Sequence, residues 1–147
     1  MLVLILAFGI TVVGCDNGST DNNSKTDISL NGTWVSNFGK TVMHDGSYEW
    51  STIDPSYHDP EVVLEKGTYV LDGNIITFTV THLFGDGFEL EDKLYTKAEV
   101  LSALHMTEEQ FAEQFSWAFK EDVAILFSNG QKYTILGAGG SATYTRQ

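Results

Sequence analysis

From Ile28 onward the chain alternates apolar and polar residues over short stretches, each broken by Gly, Asn or Asp. Successive side chains of a strand point to opposite faces, so a period of two predicts half-buried antiparallel sheet. Ser47 to Thr52 sets Tyr48 and Trp50 on one face, and Ile75 to His82 sets Ile76, Phe78 and Val80 opposite Ile75, Thr77, Thr79 and Thr81. Asp45-Gly46, Asp72-Gly73-Asn74, Asn129-Gly130 and Gly137-Ala138-Gly139-Gly140 supply the positive φ angles that tight hairpins require. About eight strands follow: 32–38, 40–44, 47–52, 62–71, 74–82, 122–127, 131–136 and 141–146. A mainly β fold of eight antiparallel up-and-down strands can close on itself and remove its edges.

Between the fifth and sixth of these strands the period changes from two to nearly four. Thr96-Lys97-Ala98-Glu99 and Thr107-Glu108-Glu109-Gln110 both match the capping box, in which a hydroxyl and a side chain three residues on satisfy each other's backbone amides. The pattern predicts a two-helix insertion over about 96–120. Its first helix turns Val100, Leu101 and Leu104 inward, and its second Phe111, Phe115 and Phe119 with Ala112 beside them.

The amino-terminal region has a different texture. Leu2 to Gly14 is apolar throughout and would span roughly 20 Å as a helix, short of a hydrocarbon core of about 30 Å. Such a run ending in small residues matches the hydrophobic part of a secretory signal peptide, although Met1 passes into Leu2 without the usual positive charge. Val12-Val13-Gly14-Cys15 resembles the lipobox of bacterial lipoproteins, and Cys15 is the only cysteine. The resemblance implies cleavage between Gly14 and Cys15 and acylation of Cys15, with 1–14 as signal peptide. It also implies an exported protein, lipid-anchored to a bacterial envelope membrane, inner or outer. Residues 16–27 carry no apolar side chain and read as a disordered polar tether, leaving 28–147 as one domain. A net charge of −12, from 20 acidic and 8 basic residues, argues against nucleic acid as a partner.

Asn31-Gly32-Thr33-Trp34 near the first strand and Thr143-Tyr144-Thr145-Arg146 at the last carry a further resemblance. Together with the lipobox and the strand count, the chain resembles small lipocalin-like lipoproteins of bacteria and, more distantly, the lipocalins and their calycin relatives. In those barrels a Gly-x-Trp opens the first strand and a basic residue of the last strand covers the indole. The resemblance thus implies barrel closure through Gly32, Trp34 and Arg146, and a guanidinium over an indole contributes about 0.5 to 2 kcal/mol in its own right. The helical insertion departs from the ordinary lipocalin plan.

Catalytic and metal motifs are absent from the pattern. His44, His58, His82 and His105 stand far apart, without helical zinc spacing, and no catalytic elbow or phosphate loop occurs. His58 with Asp54 and Asp59 reads as a polar turn-rich loop, and the acidic stretch 84–92 as a solvated bend rather than a calcium loop. The expectation is a non-enzymatic protein without a cofactor. Inward Tyr48, Trp50, Tyr69, Phe78, Tyr133 and Tyr144 would line a pocket for a small apolar or aromatic ligand. If they fill the interior instead, the barrel is a surface module for protein interaction or structure.

Overall fold

The computed structural model describes residues 29–127, 129–137 and 140–147, and Cys15 and the apolar run before it lie outside them. Nine strands form one antiparallel sheet: β1 (Gly32–Val35), β2 (Gly39–His44), β3 (Ser47–Thr52), β4 (Glu65–Asp72), β5 (Ile75–Phe84), β6 (Leu94–Thr96), β7 (Glu121–Leu126), β8 (Lys132–Gly137) and β9 (Gly140–Arg146). Eight of them close a ring in the order β1-β2-β3-β4-β5-β7-β8-β9, with β9 returning to β1. The turns that close it are those the glycines demand. Asp45 and Gly46 have φ of 47° and 81°, Gly73 of 60° and Gly130 of 65°, the region that tight hairpins use.

The short β6 is the addition to the eight expected strands. β5 is ten residues long, and its halves have different partners: Ile75 to Thr79 pair with β7, whereas His82 to Phe84 pair with β6. β5 therefore runs past the barrel and becomes the base of a second unit. On that base sit α1 (Lys97–Leu104) and α2 (Glu108–Gln114), between β6 and β7, each opened by a complete capping box from Thr96 and Thr107. Other strand limits also shift. The first strand stops at Val35 because Ser36 Oγ accepts from the amides of Phe38 and Gly39, which turns the chain, and the fourth begins only at Glu65.

Two apolar cores result. Leu30, Trp34, Met43, Tyr48, Ile76, Phe78, Ala124, Leu126, Tyr133 and Tyr144 fill the barrel. Phe88, Tyr95, Val100, Phe111 and Ala118 form the core of the helical cap, flanked by Leu83, Leu101, Leu104, Phe115 and Phe119. The expected helical stripe needs one correction. α2 ends at Gln114, so Phe119 reaches the cap from a turn at φ 51°, and Ala112 faces solvent.

Strand direction gives the barrel two unlike ends. The three glycine hairpins, Leu30 and Arg146 lie at one end; the long β3–β4 loop and the helical cap lie at the other. At the first end Trp34 is fully buried, and its indole nitrogen donates to the Leu30 carbonyl at 2.9 Å. The Arg146 guanidinium lies 5.4 Å from the centre of the Trp34 ring and donates to the carbonyls of Ser29 and Asn31. Gly32 has φ 137°, and a Cβ there would stand 3.3 Å from Arg146 Nε, so both the backbone angle and the cation's approach call for glycine. Asn31 extends the closure by bonding Asp45 through both its amide atoms and accepting the Tyr69 hydroxyl.

Arg146→Met, which keeps the aliphatic stem and removes the charge and donors, should lower the unfolding free energy by roughly 1–3 kcal/mol. The urea midpoint is the measurement; an unchanged midpoint would show that the guanidinium contributes nothing to closure.

Candidate functional site

The staggered register of the barrel carries one row of laterally paired residues from the closed end toward the capped end. Arg146 pairs with Trp34, Trp34 with Thr41, Thr41 with Trp50, Trp50 with Glu65, and Glu65 with Leu83. Such drift follows from the tilt that closing a sheet imposes. The row therefore begins at the indole plug and finishes beneath the helices.

Inside the barrel, aromatic rings pack against one another among the aliphatic side chains. Tyr133 and Tyr144 stack with centroids 4.9 Å apart, Trp34 lies 5.1 Å from Tyr133, and Tyr48 meets Phe78 edge-on at 5.1 Å. Tyr69 packs at the side of Phe78, 6.4 Å away. The cavity left among Tyr48, Trp50, Phe78 and Tyr133 measures about 30 Å³, the volume of roughly one water molecule. Among the described residues the inward aromatics leave this small space between them.

Their polar atoms are satisfied internally. Tyr133 donates to Thr41 Oγ1 at 3.1 Å, and Trp50 Nε1 donates to the Tyr144 hydroxyl at 3.0 Å. The Tyr48 hydroxyl donates to Glu65 Oε1 at 2.6 Å. Burial pushes the Tyr48 and Tyr133 hydroxyls well above the ordinary phenol range, and the Glu65 charge adds to this at Tyr48, so both remain neutral donors.

A larger space opens at the capped end. A cleft of about 220 Å³ lies between the barrel rim and the cap, with Trp50, Leu64 and Glu65 on the barrel side. Leu83, Phe84, Asp86 and Gly87 form its wall from the end of β5 onward, and Tyr57 and Trp117 flank it from the β3–β4 loop and the cap. Trp117 stacks one face on Phe88, at 5.4 Å and 14°, yet remains 52% exposed. Gly87 lets the ring lie close to the backbone, since a Cβ there would stand 3.0 Å from the Trp117 ring and push it outward. A second depression of about 390 Å³ lies within the cap, bounded by Phe88, Leu104, Met106 and Phe115. Glu89 and Gln114 also line it, so it brings together two rings and one carboxyl where the first cleft brings together four rings and two carboxyls.

Glu65 is the ionisable group that ties the cleft to the lumen, for it borders both spaces. Burial raises its carboxyl above the ordinary value of 4.5; the Tyr48 hydrogen bond opposes this and the Asp122 charge adds to it. In sequence nothing marked Glu65 as special. The available signal was parity: Tyr69, four residues on and expected inward, puts Glu65 on the same face of β4.

The rim of the cleft is braced by His58, whose Nε2 meets Asp86 Oδ2 at 2.9 Å while its ring packs edge-on against Phe84 at 5.1 Å. His58 is thus joined to a residue of the acidic bend 84–92 rather than to its neighbours. Asp54 accepts from Ser56 and Asp59 accepts from the amide of Glu61, the local turn bonds of a polar loop. Among the described residues no group of three or more His, Cys, Asp or Glu is placed to hold a metal ion.

Because the native state favours the protonated Glu65 carboxyl, it binds more protons than the unfolded chain above pH 4.5. Stability contributed by this group therefore declines as pH rises from 4.5 through the raised folded value, and then levels off. Glu65→Gln keeps an acceptor for Tyr48 and removes the charge. Urea midpoints between about pH 4 and 8 should show the variant more stable at neutral pH and lacking this decline; curves parallel to the wild type would contradict the assignment.

Comparison with known proteins yields no relative: no protein-family model, curated protein or solved structure matches the chain.

Proposed function

We propose that this chain is a non-enzymatic, lipid-anchored lipoprotein of a bacterial cell envelope, with a lipocalin-like barrel, that binds a small apolar or aromatic ligand. The ligand sits in the cleft between the barrel rim and the helical cap, not in the lumen. One contrast carries this reading: about 220 Å³ of aromatic-walled space beneath the cap against about 30 Å³ among the described residues of the lumen. A dry cavity of about 150 Å³ is already enough to take up benzene. The cleft therefore suits a single ring with a few further atoms.

Binding isotherms of the purified full chain against small aromatic compounds, neutral and cationic, test the cleft. Trp117→Leu is expected to weaken any binding by about tenfold or more. Absence of binding by every compound, or binding indifferent to Trp117, would reject the site.

The anchor rests on Val12-Val13-Gly14-Cys15. Two or three acyl chains, at about 0.8 kcal/mol per buried methylene, make release from a membrane negligible. Cys15→Ala should abolish incorporation of labelled palmitate and move the protein out of the membrane fraction. A variant still acylated and membrane-bound would defeat the assignment.

A second reading, a filled barrel that contacts a protein partner, is favoured by the outer face of β4, β5 and β7. Val70, Ile75, Val123 and Ile125 are exposed there, with Ile75 directly opposite Ile125. Exposed apolar side chains grouped on one sheet face mark contact surfaces more often than scattered ones do.

A further inference from the structure

The cleft has a chemical character as well as a size. Its aromatic side chains are Trp50, Tyr57, Phe84 and Trp117, and its ionisable ones are the carboxyls of Glu65 and Asp86. Among the described residues that line it there is no Lys or Arg. Asp86 is already engaged, by His58 on one oxygen and by the Gly87 amide on the other. Glu65 is engaged only in part: Tyr48 donates to Oε1, and among the described residues no donor is directed at Oε2. No fully enclosed side-chain oxygen or nitrogen among the described residues lacks a partner, so Oε2 keeps some exposure. Glu65 borders both the cleft and the small lumen.

A carboxylate bordering an apolar cleft disfavours anions by repulsion and leaves a neutral hydrocarbon unrewarded for covering it. A cation reverses both effects. Ring faces attract positive charge through their quadrupoles, most strongly indole, and more so where water is displaced. Trp117 lines the cleft with one face stacked on Phe88 and the residue 52% exposed. Trp50 is held on the barrel side by its bond to Tyr144, and Tyr57 stands 65% exposed at the opening. Two indoles, a phenol and one incompletely paired carboxyl around about 220 Å³ match a compact ammonium group on a small apolar frame.

We propose that the cleft is a binding site for a small organic cation, an amine or quaternary ammonium carried on an aromatic or aliphatic frame, with Trp117, Trp50 and Tyr57 as its aromatic walls and Glu65 as its counter-charge. This rests on the cleft being the ligand site and adds the class of ligand. It also gives Glu65 a role at a position where its burial works against stability.

Two probes of the same shape separate charge from size: phenyltrimethylammonium and its neutral isostere tert-butylbenzene. Titrated calorimetrically into the full chain, the cation should bind at least tenfold more tightly than the hydrocarbon. Glu65→Gln should weaken the cation by about tenfold and leave the hydrocarbon within twofold, while Trp117→Leu should weaken both. Retention of the wild-type near-ultraviolet circular dichroism by Glu65→Gln establishes that its lumen is intact. Equal affinity for the two probes, or a cation affinity that ignores Glu65→Gln, overturns the cation assignment and leaves the cleft as a site for neutral ligands. Binding of neither probe overturns both.

Discussion

Closure of the barrel depends on a seam that is very short in register. Among the described residues, Trp34 with Arg146 and Val35 with Thr145 are the pairs between β1 and β9, yet this pairing turns an open sheet into a ring. So few ladder bonds would leave two frayed edges unless side chains reinforced them. Reinforcement comes from the buried indole, the guanidinium over it, and the carbonyls of Ser29 and Asn31 that receive the guanidinium protons. Beyond them the Gln147 amide donates to the Thr33 carbonyl at 2.9 Å. The last two residues of the chain thus act as the clasp for the first strand.

Once closed, a narrow barrel confronts its side chains with a volume problem, and here large rings with polar tips resolve it. Tyr48, Tyr133, Tyr144 and Trp50 supply bulk, with Tyr48 donating to Glu65, Tyr133 to Thr41 and the Trp50 indole to the Tyr144 hydroxyl. A network of this sort favours one packing, because rearrangement would strand the buried donors of Tyr48, Tyr133 and Trp50. Glu65 is the member at odds with stability. Its burial disfavours the charged form, and it stands where the filled lumen ends and the cleft begins.

Much of the architecture was legible in the residues because it is set by local chemistry. Asp45-Gly46 and Asn129-Gly130 could be little other than tight turns, and each capping box predicted a helix start at the residue where it occurs. What escaped was non-local. Leu94 to Thr96 is too short to show a period, and becomes strand only because β5 extends past β7 and offers it an edge. Phe119 continues a spacing of four from Phe115 but belongs to no helix, since the chain leaves α2 at Gln114 and returns to the cap through a turn. The cleft could not be read at all. It is made by Trp117 from one end of the insertion meeting Trp50 and Glu65 from the barrel, a meeting that only the closed topology brings about.

The two unlike ends of the cylinder give the molecule an orientation. Ser29, where the described chain begins, and Gln147, where it finishes, both lie at the plugged end, whereas the aromatic cleft opens at the other. Anything that holds this protein by its leading residues therefore grips it by its sealed base. Attachment there would leave the cleft, at the opposite end of the cylinder, clear of the point of attachment.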